Sequence, residues 1–245
     1  MKYKIIDEIH SINHVFIKAI KMLVRSCITH NFGDSINKEL VRLISGQVPI
    51  IVNNSFSNPK NETIYMCVGS ILGWSTSSTV VWGSGLIKPQ KIQPPKQILA
   101  VRGKLTRNEL IKQGIKTPEI YGDPCLLLPR YYNPKLDKKY KVSIILHHVD
   151  KILMPKLMKK FPNAHFIDIQ QEEYKFLDEI IQSEYIISSA LHGCIMAYAY
   201  NVPYKHKQFS NNLIGGDFKF RDFESSKSEL DLDKLYEVCP FKKEK

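Results

Sequence analysis

The chain has no Cys-x-x-Cys pair, no long block of arginine and lysine, and no apolar run free of charges over a membrane-spanning length. Each absence excludes something. Without paired cysteines a zinc ribbon or a thioredoxin-like centre is not expected. The five cysteines (Cys27, Cys67, Cys125, Cys194 and Cys239) are scattered and lie in apolar runs, as buried thiols in a reducing compartment do. The most apolar N-terminal stretch, from Ile12 to Thr29, is interrupted by Lys18, Lys21 and Arg25. Three charges argue against a span and for an amphipathic helix, packed on the protein or resting on an anionic membrane. The opening residues Met1 to Glu8 lack the apolar core of a signal peptide. Neither the P-loop pattern nor G-x-G-x-x-G occurs, so nucleotide hydrolysis and dinucleotide binding have no support.

What the chain does have is positive charge. Its 245 residues carry 35 Lys and Arg against 24 Asp and Glu, a formal net charge of +11. That implies an anionic partner: a phosphorylated small molecule, an acidic membrane surface or a nucleic acid. The charge is spread along the chain, and no nucleic-acid-binding signature is present, so nucleic acid is not expected.

Short apolar runs alternate with helical patterns. Val48 to Val52, Thr63 to Val68, Thr79 to Trp82, Gln97 to Val101 and Glu119 to Tyr121 read as strands. Ser35 to Ile44 and Lys104 to Gln113 read as helices. A Pro-, Tyr- and Lys-rich stretch from Pro129 to Tyr140 reads as a linker. The rhythm then restarts, with strands at 142–146, 164–169 and 185–188 and helices at 152–160, 174–182 and 194–200. The expected fold is α/β: two Rossmann-like, doubly wound domains facing a cleft, at residues 1–135 and 136–245, the second ending in a helix.

Candidate chemistry sits at the strand ends. His192 in Ser188-Ser189-Ala190-Leu191-His192-Gly193 falls where a strand turns into a helix amino end. There backbone N–H groups attract anions, and an imidazole can carry a proton near neutral pH. Asp34, after Asn31-Phe32-Gly33, either caps a helix or takes a proton from a hydroxyl. The Gly83-Ser84-Gly85 loop could bring backbone N–H groups to a phosphate. Arg102 ends a strand beside a helix start and suits a two-pronged anion clamp; Arg107 is a second candidate. Asp123 sits in a Gly-Asp-Pro turn, and His147 with His148 follows another strand. Adjacent histidines on a strand face opposite ways, a poor joint metal site, and no metal is expected. Phe218-Lys219-Phe220-Arg221-Asp222-Phe223 reads either as an aromatic and basic rim for a sugar or phosphate or as a surface strand.

The ordered set resembles the polysaccharide pyruvyl transferase family, in its bacterial exopolysaccharide branch. It comprises Asn31-Phe32-Gly33-Asp34, Gly69-Ser70-Ile71-Leu72, Val81-Trp82-Gly83-Ser84-Gly85, Val101-Arg102-Gly103, Tyr121-Gly122-Asp123-Pro124, His147-His148-Val149-Asp150, the 188–193 hexapeptide and Phe218-Lys219-Phe220. The resemblance implies a two-domain fold like the GT-B glycosyltransferases. It implies phosphoenolpyruvate as donor, with no further cofactor, and a lipid-linked oligosaccharide as acceptor. The product would be a cyclic pyruvate ketal, with phosphate released.

On this resemblance His192 corresponds to the family's catalytic histidine and Arg102 to a donor-binding arginine; the chemistry then needs His192 as the acid and a base, for which Asp34 is the candidate. The donor would be held by Arg102, Arg107, Ser189, Gly193, Ser84, Gly85 and Lys219, and the acceptor by His147 and Asp123. Some relatives carry an arginine just before the Leu-His pair; here that position is Ala190, and Arg107 or Lys219 is the candidate substitute. The enzyme is expected to be cytoplasmic, with peripheral contact at the inner membrane to reach its acceptor. Two rivals remain open: a GT-B glycosyltransferase with a nucleotide-sugar donor, and a non-catalytic domain that binds anionic glycan.

Overall fold

The computed structural model describes residues 22–27, 31–53 and 62–242. The strands form two parallel sheets. The first orders β1 (Leu23–Ser26), β2 (Ile50–Asn53), β3 (Ile64–Met66), β4 (Thr79–Trp82) and β5 (Gln97–Ala100) as β2-β1-β3-β4-β5. The second orders β6 (Ser143–Ile145), β7 (His165–Ile167), β8 (Ile186–Ser188) and β9 (Tyr204–His206) as β7-β6-β8-β9. All of these pairings are parallel. This is a mixed α/β architecture compatible with Rossmann-like winding.

Strand β1 overturns one expectation. Leu23 to Ser26 is not the end of an amphipathic helix but the buried strand between β2 and β3. A Leu-Val pair flanked by strands on both sides is buried on both faces, and burial outweighs helical spacing. The rest of that expected helix, 12–21 and 28–29, lies outside the described residues. The expected strand at Glu119 to Tyr121 shrinks to a single bridge between Tyr121 and Val101. Strand β9 was unforeseen, because Tyr204-Lys205-His206 carries no apolar run.

Helix α1 (Phe32–Ser45) links β1 to β2. Asn31 caps it through its side chain, and Gly46 ends it at φ 73°. Phe32, Ile36, Leu40, Val41 and Ile44 form its buried stripe. Phe32 also reaches the second sheet's layer. Its ring centroid lies 4.5 Å from that of Phe176 on α4 (Glu173–Ile181), and its N–H donates to the Ile169 carbonyl at 2.8 Å. One apolar cluster runs from Val24 and Phe32 through Ile145, Ile167 and Phe176.

Helices α2 (Lys104–Lys112), α3 (Met154–Lys160) and α5 (Leu191–Ala199) follow β5, β6 and β8. The last two helices return to the first sheet. Residues 218–223, expected as a rim or a surface strand, lie in helix α6 (Phe218–Ser226), which docks on Gly103, where a Cβ would meet the Asp222 carbonyl oxygen at 1.9 Å. Helix α7 (Leu232–Glu237) accepts the Trp82 indole N–H at its Leu235 carbonyl, 2.9 Å away. Among the described residues no helix is long and apolar enough to cross a membrane.

Candidate active site

In an open parallel sheet, loops diverge where the strand order reverses, and the gap they leave receives ligands. The first sheet reverses between β1 and β3 and the second between β6 and β8. The loops after these four strands hold Asn31 to Asp34, Gly69 to Ile71, His147 to Asp150 and Ser189 to His192. A cavity of about 310 Å³ opens among the first three groups, walled by Asn31, Asp34, Ser70, His147, His148 and Lys219. That is at the small end of the ~300–1,000 Å³ usual for small-molecule sites.

Lys219 is the site's dominant cation. It is buried on the first turn of α6, yet it faces the cavity and makes no hydrogen bond or ion pair among the described residues. Its Nζ lies 5.5 Å from the Phe220 ring centroid. Burial, then the nearby Arg102 guanidinium, pushes its pKa down to about 8, against the pull of Asp34 and Asp150.

His147 is pushed down to about 3, by burial first and then by Lys219, His148 and His192. It is therefore neutral at physiological pH and serves as a hydrogen-bonding group, not as an acid. Its Nδ1 accepts from the Val149 N–H at 3.4 Å, and its own N–H donates to Ser189 Oγ at 2.9 Å. The two adjacent histidines do not face apart as expected. The strand ends at Ile145 and a 3-10 turn begins at His148, which brings their ring centroids to 4.3 Å. Asp34 accepts from Asn31 Nδ2 at 2.6 Å and, with burial as the larger cause, holds the Cys27 thiol up at about 12.

Arg102 departs from expectation. Its guanidinium is wholly buried and does not wall the cavity. Nε donates to Asp222 Oδ2 at 3.0 Å, Nη1 to Ser70 Oγ at 2.6 Å and Nη2 to the Leu86 carbonyl at 2.7 Å. Asp222 also receives the Thr106 N–H and hydroxyl, both at 2.7 Å. Arg102 therefore pins α6, and with it Lys219, to the loop after β5. Its charge reaches the cavity only through Ser70 and the field it sets up.

The other candidates divide. Arg107 is turned away, ion-paired with Glu119 at 2.9 Å. Ser84 donates to the Gly69 carbonyl, and Gly85 makes room for the Arg102 guanidinium, so both are structural. Gly193 lets α5 close on β8, since a Cβ there would meet Ser188 Oγ at 2.3 Å. Ser189 donates to the buried Asp150 at 3.1 Å and supports His147 from beneath.

His192, on the first turn of α5, is 9 % exposed. It lies against Gly33, where an added Cβ would sit 2.0 Å from Nδ1, so only glycine admits the ring. Its Nε2 faces Asp123 Oδ2 at 3.5 Å. Asp123, expected among the acceptor contacts, is wholly buried and does not wall the cavity. Asp123, Cys125 and His192 bring ligand-type atoms within 4.8 Å of one another, and burial holds the Cys125 thiol well above its ordinary pKa, as the neutral form. Sequence reasoning named His148 only alongside His147, and did not single out Asn31, Ser70 or Asp222 as individual parts of the site. Asn31 and Ser70 stand inside the motifs; Asn31 is bonded to Asp34 three residues on, whereas Ser70 meets Arg102 from a different loop.

The family model for polysaccharide pyruvyl transferase matches residues 31–203. The chain is 30% identical over 204 residues to an uncharacterised protein of Acanthamoeba polyphaga mimivirus, covering 79% of this chain and 69% of that protein. It is also 30% identical over 207 residues to the succinoglycan biosynthesis protein ExoV of Rhizobium meliloti (strain 1021), covering 79% of this chain and 60% of that one. The matched residues include all four switch-point loops, three of which wall the cavity while the fourth holds His192 outside it, and this chain belongs to the polysaccharide pyruvyl transferase family.

Proposed function

We propose that the protein transfers pyruvate from phosphoenolpyruvate to a sugar of a surface-polysaccharide repeat unit, closing a cyclic ketal and releasing phosphate. The observation that carries this is the buried Lys219 ammonium, without a hydrogen bond or ion pair among the described residues, facing a small cavity between two strand-order reversals. A buried lysine without a partner is costly, and an anionic ligand offsets the cost. Membership of the family and the relationship to ExoV support pyruvyl transfer in polysaccharide biosynthesis as the chemistry. A GT-B-like arrangement of two domains, a lipid-linked acceptor and a cytoplasmic site of action with peripheral membrane contact belong to the same reading.

Lys219 takes the clamping role expected of Arg102 and stands in for the cation absent at Ala190. It binds the donor's carboxylate or phosphate, while Asn31, Ser70 and neutral His147 complete the polar wall. His192 delivers a proton to the methylene carbon of the donor, and C2 becomes electrophilic. One sugar hydroxyl adds at C2. The second displaces phosphate, and Asp34 takes up a hydroxyl proton. Both hydroxyl protons leave, one proton enters the methyl group and phosphate departs, so the step balances.

The direct test is incubation with phosphoenolpyruvate and acceptor glycan. Phosphate release, with a glycan mass gain equal to pyruvate minus water, is the expected result. Release of nucleotide from a nucleotide sugar would support the glycosyltransferase instead, and glycan binding without turnover would support a binding domain.

Donor capture should also follow Lys219. Its ammonium is charged below about 8 and neutral above. The specificity constant kcat/KM for the donor should therefore fall as pH rises through about 8, a range in which a surface lysine stays charged. Lys219→Met should raise the donor KM roughly 10- to 100-fold, the worth of one charge-assisted hydrogen bond, and remove that limb of the pH profile.

A further inference from the structure

Asp123 is wholly buried and begins the 3-10 helix at 124–130. Its Oδ1 accepts the Cys125 N–H at 3.1 Å and so has its orientation set by the backbone. That leaves Oδ2 with no hydrogen-bond partner and aimed at His192 Nε2, 3.5 Å away, which is likewise buried and without one. Two sealed polar atoms facing each other are each other's only means of satisfaction. The groups around the pair are Cys125 beside Asp123, Cys67 near both, and His147 from the end of β6. The thiols are held neutral by burial and His147 is neutral, so among these neighbours Asp123 is the carboxyl group that faces Nε2.

We propose that Asp123 is a positioning residue that holds His192 with its proton on Nε2 and leaves Nδ1 as the atom that exchanges a proton with the ligand. Of the two ring nitrogens only Nε2 is sealed off without a partner. Nδ1 lies against Gly33, the residue that precedes Asp34 in the chain, while the ring itself stands outside the residues that wall the cavity. The carboxylate makes the Nε2–H form the stable neutral tautomer and stabilises the imidazolium when Nδ1 is protonated. The catalytic use of this arrangement rests on the acid role assigned to His192 above; the pairing itself does not.

Asp123→Asn separates the two parts. The Asn Oδ1 keeps the Cys125 cap, which places the amide NH₂ against Nε2. Nε2 must then accept, and the neutral proton moves to Nδ1. Long-range ¹H–¹⁵N NMR of the full chain, with the His192 signal assigned by its loss in His192→Gln, reads this directly. The expected result is an Nε2–H tautomer in the wild type and an Nδ1–H tautomer in Asp123→Asn.

In turnover, kcat should fall about 10²- to 10⁴-fold with the donor KM little changed, the pattern of a lost orienting carboxylate. A wild-type Nδ1–H tautomer, readable even if the variant fails to fold, would overturn the proposal. So would a tautomer unaffected by Asp123→Asn, or a stoichiometric zinc ion that Asp123→Asn releases. A tautomer switch in a protein that does not consume phosphoenolpyruvate would sustain the pairing and sink the pyruvyl-transfer reading alone.

Discussion

His192→Gln should lower kcat for phosphoenolpyruvate consumption by about 10²- to 10⁴-fold, the usual worth of a positioned acid. The donor KM should change little, because the proposed clamp on the anion is Lys219, which walls the cavity, and not His192. Glutamine retains a polar group of similar reach but cannot deliver a proton. The Gly33 face that receives the ring has no side chain to collapse into the space, so the fold should survive. Equal thermal midpoints with the loss confined to kcat would confirm the assignment. Wild-type turnover in a folded His192→Gln protein would remove His192 from the chemistry.

The largest stability effect is expected at Asp222. It accepts from Arg102 and twice from Thr106, and both charged side chains are fully buried. Asp222→Ala would strand the guanidinium in the interior with only Ser70 and the Leu86 carbonyl as partners. Breaking one side of a buried pair costs about 3–5 kcal/mol, since the remaining charge keeps its desolvation penalty. The urea midpoint should drop accordingly. Replacing both partners by apolar residues, as in Arg102→Met with Asp222→Leu, should recover much of the loss because no orphaned charge remains. Donor affinity should not recover, because Arg102 holds Ser70 in the cavity wall and its loss removes charge beside Lys219. Equal loss of stability in the single and double variants would show that the pair is not the anchor of α6.

How much was legible depended on the reach of the interactions. Thr79 to Trp82 is a strand with the bounds its pattern predicts, and α1, α2 and α4 fall within a few residues of their expected spans. Apolar periodicity and caps act within a few residues, so the chain displays them. Leu23 to Ser26 misled because a short apolar run fits helix or strand alike, and only the neighbours β2 and β3 decide. Phe218 to Phe223 misled because its alternation of aromatic and charged residues imitates a strand, although Phe218, Phe220 and Phe223 are all buried once the helix docks.

The site followed the same division. Asp34, His147 and Lys219 were legible as candidates and do wall one cavity. The role of Arg102 was not legible, because its partner stands 120 positions away and turns a clamp into an anchor.

By itself the sequence determined the family, the α/β alternation and the placing of candidate residues at strand ends. These depend on residue type, order and local spacing. Only the tertiary structure decided which cation meets the cavity, which carboxylate meets His192 and which arginine is spent on holding a helix. Those outcomes turn on distances of 3 to 4 Å between residues far apart in the chain, and burial then sets the charge that each group can carry.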